Sequence, residues 1–305
     1  MTPFEWALLL TLSLLWGASY YFIAISLTAI APITLVTARM VLATVFLYVA
    51  LRLVGARLPT DRQSWRDLLI MSFLNNVIPF VLIAWGQSYI SSGLASILNA
   101  TSPLFIVVIA HFLTANERLT PTRTIGMVTG FAGVAIMFGP SAFRGIGDEI
   151  LPMLACLGAA CAYALSALFA LRFSRRGIAP LPTATGQMIA ASILMLPIML
   201  VVDRPWEIPT LPLDVLGAVL GLAVLSTALA YVVYYRILST AGSVNLTLVT
   251  FLMPVTAILL GTLLLGEWLE LRHFIGMAAI GVGLAFIDGR LVRKLRRVPP
   301  AHKNR

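Results

Sequence analysis

The chain has 305 residues, 60% of them hydrophobic and 11% charged, with a formal net charge of +9. Soluble domains carry about 25% charged and about 45–50% apolar residues, so this composition excludes a soluble globular fold. The cationic excess would suit a nucleic-acid partner only if it were clustered on one surface; it is instead spread between hydrophobic runs, and no nucleic-acid partner is expected.

A helix needs roughly 20 apolar residues to cross a bilayer core of about 30 Å. Ten such runs are predicted, at approximately 6–27, 33–54, 67–90, 94–114, 122–140, 151–173, 183–202, 213–238, 243–265 and 272–290. They leave no room for a soluble domain. The first is read as a span and not as a cleaved signal peptide, because no basic segment precedes it and nine spans follow.

Span one carries Ser13, Trp16 and Tyr20 at helical spacing, on one face. Span two carries Arg39, the only charge well inside a span. A charge at that depth needs a partner or water. Two readings stay open: it attracts a substrate carboxylate, or it caps carbonyls at a neighbouring helix end. Span three lines up Asn76, Phe80, Ile83 and Gln87, and span four Ser96, Asn99 and Ser102 beside Pro103. His111, near the end of span four, is read as a packing residue before a proton relay. Span six holds Tyr163 and Ser166, and also the only two cysteines, Cys156 and Cys161. Five residues apart, these two point to different faces, so neither a disulfide nor a metal pair is expected. Span eight offers Thr227, Tyr231 and Tyr234; span nine offers Asn245, Thr247 and Thr250 below Pro254. Spans two, five, seven and ten are nearly all apolar or small. Glycines 126, 130 and 133 of span five and 276, 281 and 283 of span ten read as close packing within the chain, with a homodimer contact as the alternative.

Polar groups facing lipid are costly, so these stripes turn inward. Six helices with inward polar and aromatic faces make a cavity for a small-molecule substrate. The residues expected to bind it are Trp16, Tyr20, Arg39, Asn76, Phe80, Gln87, Asn99, Tyr163, Tyr231 and Asn245. The competing reading is structural: serines and threonines bond to their own helix backbone, and Asn and Gln tie helices together. Pro79, Pro103, Pro197 and Pro254 each remove a backbone hydrogen bond, and Pro103 with Pro254 is read either as a paired hinge or as two static kinks.

With the N-terminus taken as cytoplasmic, the inside segments carry 17 Lys and Arg and the outside segments three, Arg144, Arg204 and Arg272; Arg39 completes the 21. Such a bias places both termini in the cytoplasm. Trp6, Trp65, Trp206 and Trp268 fall near span ends, where interfacial belts hold them. The basic tail 291–305 follows the last span and can hold anionic headgroups.

The chain repeats at an offset of about 150 residues. Pro103, Leu113, Glu117, Leu119, Gly126 and Gly133 return as Pro254, Leu263, Glu267, Leu269, Gly276 and Gly283. More weakly, Pro32 with Arg39 returns as Pro180 with Gln187. Five spans per half force the second half to enter the membrane inverted. Inverted repeats place a site between the halves and supply the symmetry for alternating access. The expected fold is therefore all-α and integral to the membrane, ten transmembrane helices in two inverted five-helix repeats, 1–145 and 146–290. Glu117 and Glu267 fall at opposite surfaces and are read as helix caps or ion-pair partners before gates.

Trp16-Gly17, the stretch from Pro32 to Arg39, and the two Leu-rich runs ending in Glu117-Arg118-Leu119 and Gly266-Glu267-Trp268-Leu269 resemble the EamA-like family of the drug/metabolite transporter superfamily. The resemblance covers essentially the whole chain; Asn116 stands where that family typically has Gly. It implies a bacterial-type inner-membrane exporter of amino acids, aromatic ones among them, or of related small metabolites. Export of other drugs or toxic compounds is the alternative. An intramembrane enzyme would need a buried catalytic pair, and no Asp or Glu lies deep in any span, so no enzymatic activity, cofactor or metal is expected. A structural membrane protein remains the reading from another class. A channel would show a filter or a ring of charge, and an antiporter of cationic drugs a membrane carboxylate; neither is visible.

Overall fold

The computed structural model describes residues 2–113, 120–139, 149–207, 210–241, 246 and 248–288, and these are α-helical almost throughout. The first half contains α1 (Pro3–Ser26), α2 (Pro32–Leu53), α3 (Arg62–Ser72), α4 (Ile78–Gln87), α5 (Ser92–Asn99), α6 (Ser102–Leu113) and α7 (Pro121–Phe138). The second contains α8 (Ile150–Arg175), α9 (Pro180–Val202), α10 (Leu213–Ala223), α11 (Ala230–Thr240), α12 (Leu248–Leu264) and α13 (Leu271–Asp288). Helices α3 and α4 form one span through a π-helical turn at Phe73–Val77, and α10 and α11 another through Val224–Leu229. A short break at Ala100–Thr101 separates α5 from α6 within one span. Seven helices or fused pairs are long and apolar enough to cross a membrane, and α12 and α13 are shorter apolar helices.

Local chemistry sets the helix starts. Thr2 and Glu5 form a reciprocal capping box on α1. Proline occupies the first turn of α2, α7 and α9, where its missing N–H costs nothing. Asp61 caps α3 by accepting from Ser64 N–H at 2.8 Å. The hydroxyl and N–H of Ser64 hold the Asp61 carboxyl down at about 2, against an ordinary 3.8. A depressed carboxyl stabilises the fold above its unfolded value, so this cap is complete above about pH 4 and is lost only as pH falls towards 2. It also explains why this span begins five residues before the hydropathy does.

The packing is interdigitated between the halves. α2 lies along α9 and α7 along α13; α1 packs on α12, α10 and α11, while α8 packs on α5, α6 and α4. Exchanging the halves maps this plan onto itself: α1–α12 becomes α8 with α5 and α6, and α1–α10/α11 becomes α8–α4. The π-turns fall at corresponding places. At the α7–α13 seam a β-carbon on Gly126 would stand 2.5 Å from the Gly283 carbonyl oxygen, and one on Gly133 2.7 Å from that of Gly276. These glycines are thus consumed by backbone approach within the chain. Gly281 meets nothing within 4 Å and takes no part.

Helix alternation puts the turns 54–61 and 176–179 at the face where α1 begins, here the terminal face. The turns 27–31, 88–91, 203–207 and 265–270 lie at the far face. Each face is tied by charge across the halves. At the terminal face Arg176 reaches Asp61 at 3.0 Å, Asp67 at 3.1 Å and Ser64 Oγ at 2.9 Å. At the far face Asp203 accepts from Thr34 N–H at 2.7 Å and Thr34 Oγ–H at 2.9 Å. There too Glu267 accepts from Ser92 N–H at 2.9 Å, Ser92 Oγ–H at 2.7 Å and Gly93 N–H at 3.3 Å. Each carboxylate satisfies donors in the first turn of a helix from the other half, where the helix dipole also favours it. Glu267 is therefore a cap, as its position suggested; Glu117 lies outside the described residues.

Candidate functional site

A cavity of about 640 Å³ lies between the halves, within the range of small-molecule sites. Its walls come from α1 to α6, α8, α9, α11 and α12 together with both π-turns. At the terminal face it runs out to the turn Gly177–Pro180, most of which is exposed. None of its described lining residues belongs to a far-face turn. Among the described residues the site thus reaches the terminal face and stops short of the far face, where the Asp203 and Glu267 contacts lie.

Arg39 is the charged group among the described lining residues. It is 7% exposed, its Cζ lies 3.8 Å from the centre of the Phe80 ring, and its Nε–H donates to Thr227 Oγ1 at 2.8 Å. Thr227 passes the bond on, donating to the Leu222 carbonyl at 2.8 Å inside its π-turn. Among the described residues no carboxylate or carbonyl pairs with Arg39, so the guanidinium is oriented through one edge while its two terminal nitrogens carry no hydrogen bond to them. The expectation that it caps a helix carbonyl is met only at one remove, through Thr227.

Around it stand tyrosines and amides. Asn99 Nδ2 donates to the Tyr20 hydroxyl at 2.8 Å. Tyr231 accepts from Asn75 Nδ2 at 3.2 Å and from Gln187 Nε2 at 3.4 Å, and Ser166 Oγ–H donates to Asn75 Oδ1 at 2.9 Å. Trp16 and Tyr234 lie tilted at 5.6 Å, and Tyr231 stacks on Tyr235 at 6.1 Å. The Oδ1 of Asn99, the Oε1 of Gln187 and the Oγ of Ser226 are buried without a hydrogen-bond partner among the described residues. Ser72 Oγ and Gln87 Oε1, away from the lining, are in the same condition.

Of the residues expected from sequence, Trp16, Tyr20, Arg39, Phe80, Asn99, Tyr163 and Tyr231 line this one cavity. Two do not. Gln87 turns away and donates Nε2–H to the Tyr20 carbonyl at 3.0 Å, tying α4 to α1. Asn76 is fully buried behind the wall, and Asn75 takes the place expected for it. The π-turn inserts an extra residue ahead of α4, which rotates the register of everything before it. Asn245 lies outside the described residues. Ser13 and Ser96 bond to the carbonyls of Leu9 and Gly93 in their own helices. Gln187, Ser226 and Tyr235 were missed, and so was the share of α9, whose span reads as apolar. The echo of Pro32–Arg39 in Pro180–Gln187 was the available signal: it places Gln187 where Arg39 stands in the other half. The two prolines also part company, Pro103 falling in the first turn of α6 after a break and Pro254 inside a continuous helix.

Three comparisons bear on this arrangement. An uncharacterized transporter of Archaeoglobus fulgidus is 25% identical over 93% of this chain and 98% of its own length. The protein PecM of Dickeya dadantii is 24% identical over 95% and 94%, and the uncharacterized inner membrane transporter YedA of Escherichia coli 25% over 89% and 86%. A crystal structure at 20% sequence identity aligns with a TM-score of 0.67 over 97% of this chain and all of its own, and so shares the fold. The model of the EamA-like transporter family matches twice, at residues 4–139 and again at 150–288. With both five-helix halves matched and a solute-sized cavity between them, the chain belongs to the EamA-like transporter family and is a multi-pass membrane transporter.

Proposed function

We infer that this transporter exports amino acids or related small carboxylate-bearing metabolites by alternating access around the central cavity. The observation that carries the reading is Arg39, a buried guanidinium fixed by Thr227 and Phe80 with its remaining donors unused among the described residues. A planar fork of this kind matches a carboxylate edge. The aromatic lining gives the rest of such a solute its contact area. A cavity that, among the described residues, reaches one face and stops short of the other fits one of the two access states that inverted repeats exchange. With the termini cytoplasmic, as the charge asymmetry supports, the end it reaches faces the cytoplasm and suits loading for export. The inner membrane of a bacterium is the setting that the name of YedA supports. Cationic drugs suit the cavity less well, since no Asp or Glu is among its described lining residues.

The test is flux of a labelled amino-acid and metabolite panel in proteoliposomes. Carboxylate-bearing solutes should move, and Arg39→Gln, still monodisperse after purification, should slow them about 10–100-fold, the equivalent of one lost charge-assisted contact. Unchanged flux in that variant overturns the reading.

A further inference from the structure

We propose that the preferred occupant of the cavity is an aromatic monocarboxylate whose other polar groups are neutral donors such as a phenolic hydroxyl, ahead of a zwitterionic amino acid. This rests on the preceding reading of Arg39 as the carboxylate site and narrows it.

The described lining residues include a single formal charge, Arg39, and no acid to answer it. A buried ion is stable when its charge is balanced nearby. An occupant with one carboxylate and no cation supplies that balance and leaves the site neutral. A zwitterion supplies the carboxylate but adds an ammonium, and the site then holds one uncompensated positive charge. Ring faces attract an ammonium, but the ring nearest Arg39, Phe80, is already covered by its guanidinium at 3.8 Å. What remains along the wall for the occupant's other end is neutral, the amides of Asn99 and Gln187 and the hydroxyl of Ser226 among it. Asn99 Oδ1, Gln187 Oε1 and Ser226 Oγ are unpartnered among the described residues, and their residues are 9%, 2% and 1% exposed. Asn99 and Gln187 are held in that sense by spending their amide hydrogens on Tyr20 and Tyr231. A neutral O–H or amide N–H satisfies such an acceptor fully, whereas an ammonium also demands a counter-charge. Between the two poles, Trp16, Tyr231, Tyr234 and Tyr235 offer ring faces and edges to an aromatic body.

The experiment compares solutes that share one skeleton. Affinity of the purified full-length transporter is measured calorimetrically for 3-(4-hydroxyphenyl)propanoate, tyrosine, tyramine and 3-phenylpropanoate, and proteoliposome counterflow is measured for the same four. The hydroxylated acid should bind at least tenfold tighter than tyrosine and several-fold tighter than 3-phenylpropanoate, with tyramine weakest. Gln187→Glu, which adds the missing acid at the position equivalent to Arg39, should reverse the order of the hydroxylated acid and tyrosine. Tyrosine binding as tightly as the acid in the unaltered protein overturns this inference and leaves the carboxylate reading standing. If tyramine alone is bound and moved, or none of the four is, both fall. The deciding ranking is measured on the unaltered protein, so it holds even if the Gln187→Glu variant misfolds.

Discussion

At the scale of single residues, the decisive neighbour of Arg39 is not an acid but a threonine. Thr227 accepts from Nε and donates to the Leu222 carbonyl, so it sets the direction in which the guanidinium points without touching a solute. Removing the hydroxyl in Thr227→Val should raise the KM for carboxylate solutes about tenfold, as expected for one lost hydrogen bond to a charged group. It should leave kcat nearly unchanged, and Thr227→Ser should restore the KM. A fall in kcat with no change in KM would show that Thr227 does not act through Arg39. Sequence showed Arg39, Trp16, Tyr20 and Tyr163 as cavity residues because a charge or large polar ring inside a span has few other places to go. It could not decide what Arg39 touches, since Thr227 is 188 residues away along the chain. Gln187 was hidden for the opposite reason: one amide in an otherwise apolar helix looks like glue.

Among the elements, the two π-turns do most to shape the site. Each breaks the 3.6-residue repeat at the cavity wall, and each presents lining residues there, Asn75 in one and Ser226 in the other. Their neighbours Asn76 and Thr227 fall behind the wall, outside the lining. A face drawn with uniform helical spacing therefore goes wrong by one residue at Asn76 and is right again at Phe80 and Ile83, beyond the turn. Nothing in Phe73–Val77 itself marks the extra residue; the nearest local cue is Pro79 in the first turn of α4, which has no N–H to give the Asn75 carbonyl. The glycine seam between α7 and α13 was legible, and the structure shows Gly126, Gly133, Gly276 and Gly283 in contact within the chain. Because each of these glycines faces a backbone carbonyl that cannot move aside, Gly133→Leu should destabilise the transporter by at least about 1–3 kcal/mol. Gly281→Leu, at a position with open space, should be tolerated. Thermal aggregation midpoints of the two variants in detergent would check this, and equal losses would refute the seam.

For the molecule as a whole, the all-helical membrane architecture and its inverted order were readable from hydropathy and the repeat, because bilayer thickness and the parity of five leave few alternatives; the start of the third span was not, since Asp61 caps α3 ahead of the apolar run. Which face the cavity reaches was not readable, since it depends on contacts between distant turns. Asp203 and Glu267 hold the far face by capping helices of the opposite half. Glu267→Gln keeps the shape but loses the charge-assisted bonds and the favourable helix-terminus interaction, about 0.3–1 kcal/mol or more. The far face should then open more often. In a background with Cys156 and Cys161 changed to serine, Ile23→Cys in the cavity wall should react several-fold faster with an impermeant thiol reagent added at that face when Glu267→Gln is present. An unchanged rate would remove Glu267 from the latch. The long reach of one bond also bears on how the protein is made. Translation at about 5–20 residues per second needs about 10–40 s to cover the stretch between Arg39 and Thr227. During that interval the ribosome has delivered a guanidinium to the membrane whose threonine partner in the finished fold has not been synthesised, so the nascent first half must keep Arg39 near water until the eighth span arrives.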